Sequence, residues 1–114
     1  KTMNKSDKFE KELQELARFA RVISHPARLS ILKFLAESKT CISGDISQYL
    51  PLSRTTVSQH LKELRDMGLI QGSIDGLKIN YCLNAAGLER FSFLFNQFFS
   101  SIDIEEATCS TQKC

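Results

Sequence analysis

Long apolar runs are missing from this chain of 114 residues. A membrane-spanning helix needs about 18 consecutive apolar residues, and no stretch approaches that, so no span is expected. The start, Lys1-Thr2-Met3-Asn4-Lys5, leads into no apolar segment of the kind that directs secretion. Cysteine is scarce, four in all, and in the absence of a signal segment these are expected as reduced thiols of a cytoplasmic protein, not a disulfide scaffold. Charge of one sign is lacking as well. Fifteen Lys and Arg against 13 Asp and Glu leave a net +2, too little to argue for a nucleic-acid partner from charge alone. No nucleophile–base pair, phosphate-cradling loop or metal motif stands out, so an enzyme is not expected. The length suits one domain, with a core that is small for a monomer.

What is present is punctuation and periodicity. In Ser53-Arg54-Thr55-Thr56-Val57-Ser58-Gln59-His60-Leu61-Lys62-Glu63-Leu64, Val57, Leu61 and Leu64 recur at i, i+4, i+7, which predicts a helix with one buried stripe. Ser53 suits the N-cap and Gly68 the C′ position. The other side offers hydroxyls, an amide and a guanidinium, the inventory that touches phosphates and base edges in a DNA major groove. Upstream, a short apolar helix is expected from about Ser43 to Leu50, ended by Pro51. The brief turn to Ser53 has helix-turn-helix spacing. Downstream, the run from Gly68 to Ile74 meets Asp75-Gly76, then Leu77-Lys78-Ile79-Asn80-Tyr81-Cys82-Leu83. Asp-Gly between strand-like runs predicts a hairpin, and Ile79, Tyr81 and Leu83 alternate with Lys78, Asn80 and Cys82. A helix-turn-helix followed by a hairpin is a winged helix-turn-helix, mainly α with a small β-hairpin.

Three further helices frame that unit. Asp7 with Glu10 has capping-box spacing, and Phe9, Leu13, Leu16, Ala17, Ala20 and Ile23 follow at helical intervals. Pro26 suits the first turn of a helix running to about Glu37. The last helix opens near Asn84 and carries Leu88, Phe91, Phe93, Leu94, Phe95, Phe98, Phe99 and Ile102. It holds five of the chain's eight phenylalanines. Apolar residues on nearly all sides exceed what a small domain covers, so an interface is expected there.

These residues resemble the ArsR/SmtB family of bacterial transcriptional repressors. The matching stretches are Leu16-Ala17-Arg18-Phe19-Ala20, Ser24-His25-Pro26-Ala27-Arg28-Leu29-Ser30-Ile31-Leu32 and Ser58-Gln59-His60-Leu61-Lys62-Glu63-Leu64. Met67-Gly68-Leu69-Ile70 and the wing, Asp75-Gly76 with Tyr81-Cys82-Leu83-Asn84, complete them. The resemblance runs from about Leu13 to about Phe99. It implies a homodimer, joined through the first and last helices, that binds double-stranded DNA at a palindromic operator and leaves when an inducer binds. Residues 1–105 would form the DNA-binding and dimerisation domain, and 106–114 a cysteine-containing tail.

Roles follow residue by residue. Ser53 and Thr55, at a helix N-terminus, are expected on phosphate. Arg54, Ser58 and Gln59 match the family positions that reach into the major groove, where Gln suits adenine and Arg guanine. Lys62 and Arg65 suit phosphate or plain solvation, and Lys78 on the wing suits the backbone or minor groove. Between Arg54 and Lys78 four basic residues face three acidic ones, so the DNA reading rests on pattern. His60 and His25 read as structural residues.

The resemblance also suggests where an inducer binds. Thr40-Cys41-Ile42-Ser43 matches a family cysteine site, but Ser43 stands where a second cysteine is usual. The last helix has no histidine, so an intersubunit zinc site of the family's other type is not expected. Cys109 and Cys114 lie in the polar tail, at a spacing unlike a zinc knuckle. With Cys41 they offer three thiolates to a soft ion, and trivalent arsenic or antimony is the inducer class implied. No cofactor is required. Cys82 reads as a structural strand residue. Three alternatives stay open: a metalloid-responsive repressor, a redox- or reactive-sulfur-responsive one using the same thiols, and a regulator without a small-molecule inducer, in which the tail cysteines are incidental.

Overall fold

The computed structural model describes residues 9–39, 41–44, 46–75 and 78–102. Asp7, Gly76 and the tail with Cys109 and Cys114 lie outside the described residues. In chain order the elements are α1 (Lys11–Val22), α2 (Pro26–Ser38), β1 (Ile42–Ser43), a 3-10 helix (Ile46–Tyr49), α3 (Arg54–Asp66), β2 (Ile70–Asp75), β3 (Lys78–Leu83) and α4 (Ala85–Ser101). The strands form one antiparallel sheet in the order β1-β3-β2. This is a mainly helical winged helix-turn-helix.

Two expectations change. The helix predicted from Ser43 to Leu50 is instead a strand stub followed by a single 3-10 turn. Gly44 sits at φ +88°, a left-handed conformation that no α-helix continues through. The few residues left before Pro51 are too short for an α-helix, and 3-10 geometry suits such pieces. The predicted two-stranded hairpin also gains a third strand, because Ile42 pairs with Tyr81 and Ser43 with Asn80. At the start of α1, Glu10 is the N-cap without a side-chain cap bond, so the described half of the capping box does not form one. Asn84 likewise occupies the N-cap of α4 through position alone.

The punctuation of α3 is as the sequence predicts. The Ser53 hydroxyl accepts the Thr56 N–H at 3.2 Å, and Gly68 takes φ +83°. The Gly68 N–H donates to Arg65 and the Leu69 N–H to Leu64, at 2.9 and 3.0 Å. That pair of bonds closes a helix C-terminus in a Schellman arrangement, which a left-handed glycine permits. Val57, Leu61 and Leu64 point inward, to Phe19, Ile31, Leu35, Ile46, Leu69, Ile70, Tyr81 and Leu94. Phe34 of α2 stacks on Tyr49 at 5.3 Å, holding the 3-10 turn to the body.

α1 and α4 pack side by side. Phe19 stacks on Phe91 with ring centroids 4.9 Å apart. At the rim Arg90 forms two parallel bonds to Glu15, Nε to Oε2 at 3.0 Å and Nη2 to Oε1 at 2.9 Å. That hydrogen bonding holds the Glu15 carboxyl below its usual range. The outer side of α4 stays bare: Phe93 is 55%, Phe95 45% and Phe99 44% exposed. Leu13 and Phe9 are exposed as well, so apolar side chains lie open on α4 and around the start of α1.

The close fit of α4 on the end of α3 turns on Gly87. A Cβ there would overlap the Gly68 carbonyl oxygen and lie 2.8 Å from its carbon. Both are backbone atoms, so relief requires moving the whole helix. Gly87→Ala should therefore cost about 1–3 kcal/mol, read as a lower urea midpoint. An unchanged midpoint would show that α4 does not approach Gly68 this closely.

Candidate nucleic-acid interface and thiol pair

The polar side of α3 is laid out by the same periodicity that buries its stripe. Arg54, Thr55, Ser58, Gln59 and Lys62 are all exposed, while Val57, Leu61 and Leu64 are buried. Ser53, expected on phosphate, spends its hydroxyl locally: it accepts from Thr56 N–H and donates to Thr56 Oγ1 at 2.8 Å. Its oxygen thus orders the helix start, leaving the first-turn N–H groups and the positive end of the helix dipole to meet an anion. Gln59 Nε2 donates to Glu63 Oε1 at 3.3 Å, an exposed bond that base contact would replace. Arg65 is half-buried. Lys78 begins β3 opposite Asp75, at the far end of the wing from Ile70 and Leu83.

What aims α3 is a residue that periodicity could not single out. Arg28 Nε donates to His60 Nδ1 at 3.0 Å, and Arg28 Nη1 donates to the Val22 carbonyl at 3.0 Å. One guanidinium thereby joins the end of α1, the first turn of α2 and the middle of α3. His25 lies beside it, its ring 5.7 Å from that of His60. Burial first, then the charges of Arg28 and His25, lower the His60 pKa from its ordinary value. A neutral ring with a bare Nδ1 is the form that can accept from Arg28. His60 is the structural residue expected, and Arg28 was legible only as part of the stretch that carries the family resemblance.

The thiols are arranged otherwise than expected. Cys41 and Cys82 are joined as a disulfide, with Cα atoms 4.3 Å apart. The register explains it: with Ile42 opposite Tyr81, Cys41 comes directly opposite Cys82. Among the described residues no cysteine is free. Cys41, expected to join Cys109 and Cys114, therefore meets the strand cysteine that sequence reasoning set aside. No local pattern signals this pairing, because the two residues are 41 apart in sequence. Cys41 is exposed and Cys82 half-buried, and both line a shallow cleft with Leu35, Ala36, Lys39 and Leu83. Among the described residues, no three His, Cys, Asp or Glu side chains gather to hold a metal ion, and no helix is long and apolar enough to cross a membrane.

Comparison with known proteins places this geometry. The profile of the family described as bacterial regulatory protein, arsR family, matches residues 25–71, which include α2, the helix-turn-helix and the start of the wing. The HTH-type transcriptional regulator CmtR of Mycobacterium tuberculosis is 32% identical over 91 residues, covering 80% of this chain and 76% of that protein. The arsenical resistance operon repressor of Staphylococcus xylosus is 31% identical over 97 residues, covering 85% of this chain and 88% of its own. A solved structure described as a possible transcriptional regulator for arsenical resistance superposes with a TM-score of 0.59 at 29% identity, over 73% of this chain and 83% of that one.

The Arg28–His60 bond makes a pH prediction. Because the folded protein holds His60 below its ordinary pKa of 6.5, the unfolded chain takes up the proton first as pH falls. The stability associated with the neutral ring is intact above 6.5 and is lost as pH drops from there toward the lowered folded value. NMR titration of the His60 ring should show a midpoint below 6.5, with the thermal midpoint declining over the same interval. A His60 midpoint at or above the ordinary value contradicts the clasp.

Proposed function

The chain belongs to the arsR family of bacterial regulatory proteins, and from that premise we propose how it works: a homodimer sits on a palindromic operator and leaves it when its thiols capture trivalent arsenic or antimony. It is a DNA-binding transcriptional repressor, not an enzyme. The observation that carries the DNA reading is the polar side of α3. Arg54, Thr55, Ser58, Gln59 and Lys62 stand exposed on a helix whose opposite stripe is locked into the core and whose middle is clasped by Arg28. Arg54, Ser58 and Gln59 read bases, while Thr55, Lys62 and the wing residue Lys78 meet phosphate.

The homodimer reading is supported by the open apolar surface on α4 and around the start of α1, in particular Phe93, Phe95 and Phe99. A two-fold pairing of that surface brings two copies of α3 to the two halves of a palindrome. For the inducer, support comes from Cys41, which sits just before the helix-turn-helix, and from the likeness to a repressor named for arsenical resistance. Cys109 and Cys114 are the further candidate thiolates.

On the DNA side, Arg54→Ala or Gln59→Ala should cost about 1–3 kcal/mol at the operator and relax base preference. Lys62→Ala or Lys78→Ala should weaken all sequences alike and reduce the salt slope by about 1. Fluorescence anisotropy with operator and scrambled duplexes over a salt series reads both. If Arg54→Ala and Gln59→Ala keep full operator affinity, α3 is not the reading helix.

For the inducer, arsenite added to the reduced protein–operator complex should release the DNA, with peroxide and cadmium as parallel titrants. Cys109→Ser combined with Cys114→Ser should still bind the operator and should no longer release it with arsenite, because serine lacks a soft donor. Wild-type protein that stays on its operator through the arsenite titration rules out the metalloid reading.

A further inference from the structure

We propose that Cys41 and Cys82, when reduced, form a dithiolate site for trivalent arsenicals, so that the wing strand itself supplies an inducer ligand. This deepens the reading of the chain as a thiol-responsive repressor and rests on it.

The placement of the two sulfurs carries the inference. The β1–β3 register sets Cys41 opposite Cys82, and a Cα separation of 4.3 Å is the short spacing of an antiparallel pair, at which side chains lie closest. The sulfurs meet in this structure, so no backbone rearrangement is needed to bring them to a common centre. Both line an open cleft in which Lys39 is the one charged side chain among the described lining residues. A cation there favours the thiolate form, the form that binds. Among the described residues the cleft offers neither histidine nor carboxylate, and two sulfurs cannot complete the four-ligand shell that zinc prefers. A soft centre satisfied by two or three thiolates fits instead.

The chemistry balances without a change of oxidation state at arsenic. Each thiol forms an As–S bond, an As–O bond breaks, and the thiol proton leaves with the displaced oxygen as water. The disulfide is the closed form of the site. Opening it takes two electrons and two protons from a thiol or phosphine reductant, which leaves two free thiols.

Capture here reaches the DNA-binding parts directly. Cys41 precedes β1, which leads into the 3-10 turn whose Ile46 is buried against the core, and Cys82 lies in the wing strand.

Phenylarsine oxide is the direct probe, since its arsenic takes two thiolates. In the reduced full chain carrying Cys109→Ser and Cys114→Ser, one equivalent should be taken up with loss of both titratable thiols. Adding Cys41→Ser or Cys82→Ser should abolish tight uptake. So should peroxide oxidation to the Cys41–Cys82 disulfide, with recovery on reduction, an arm that involves no further substitution and no risk to folding. In the chain with its tail cysteines intact, Cys82→Ser should also lose release from the operator by arsenite. Undiminished uptake in the Cys82→Ser variant, or in the oxidised protein, overturns the proposal. If the pair takes up phenylarsine oxide but arsenite never releases the reduced wild type from DNA, the site stands and the inducer reading falls.

Discussion

The pairing of β1 with β3 is the constraint on which the rest of the structure depends. Two residue pairs, Ile42 with Tyr81 and Ser43 with Asn80, tie the segment that enters the helix-turn-helix to the strand that leaves the wing. A slip by one residue would turn Tyr81 out of the core and separate Cys41 from Cys82, because neighbouring strand residues face opposite ways. The register is held from the other side as well. Gly72, opposite Tyr81, leaves room where a Cβ would come within 2.5 Å of the tyrosine ring. The third strand and the thiol pair are thus consequences of one alignment.

Onto that sheet the recognition helix is fastened by two kinds of force. The apolar stripe of Val57, Leu61 and Leu64 supplies the non-directional part, through burial. A directional contact comes from Arg28, which bonds both His60 of α3 and the Val22 carbonyl at the end of α1. Hydrophobic contact alone tolerates small rotations, whereas a planar guanidinium held at two points does not. The net charge of +2 provides only weak long-range attraction to DNA, so in the function proposed here the aim of Arg54, Ser58 and Gln59 matters more than it would in a strongly basic protein.

α4 has two unlike sides. Inward it meets Phe19 through Phe91 and contributes the buried Leu94; outward it leaves Phe93, Phe95 and Phe99 open. A domain of this size has too little interior to cover so many rings. The homodimer proposed above gives that surface a function, since it sets the distance between two recognition helices.

Much of this was legible in the residues themselves. The stripe and caps of α3, the helix opened by Pro26, the apolar excess of α4 and the strands flanking Asp75-Gly76 all follow from spacing and local backbone preference, which act between residues a few positions apart. The polar side of α3 was readable for the same reason, since a stripe at i, i+4, i+7 decides which side chains remain outside. The third strand, the Arg28–His60 bond and the meeting of Cys41 with Cys82 were not. Each joins or depends on segments distant in the chain, such as the 41 residues between the two cysteines, and no local periodicity encodes such a pairing. By itself the sequence determined the elements and the faces they present, because those are set by near neighbours. Only the tertiary structure decided which of those faces and sulfurs meet, because that is settled by packing the whole core at once.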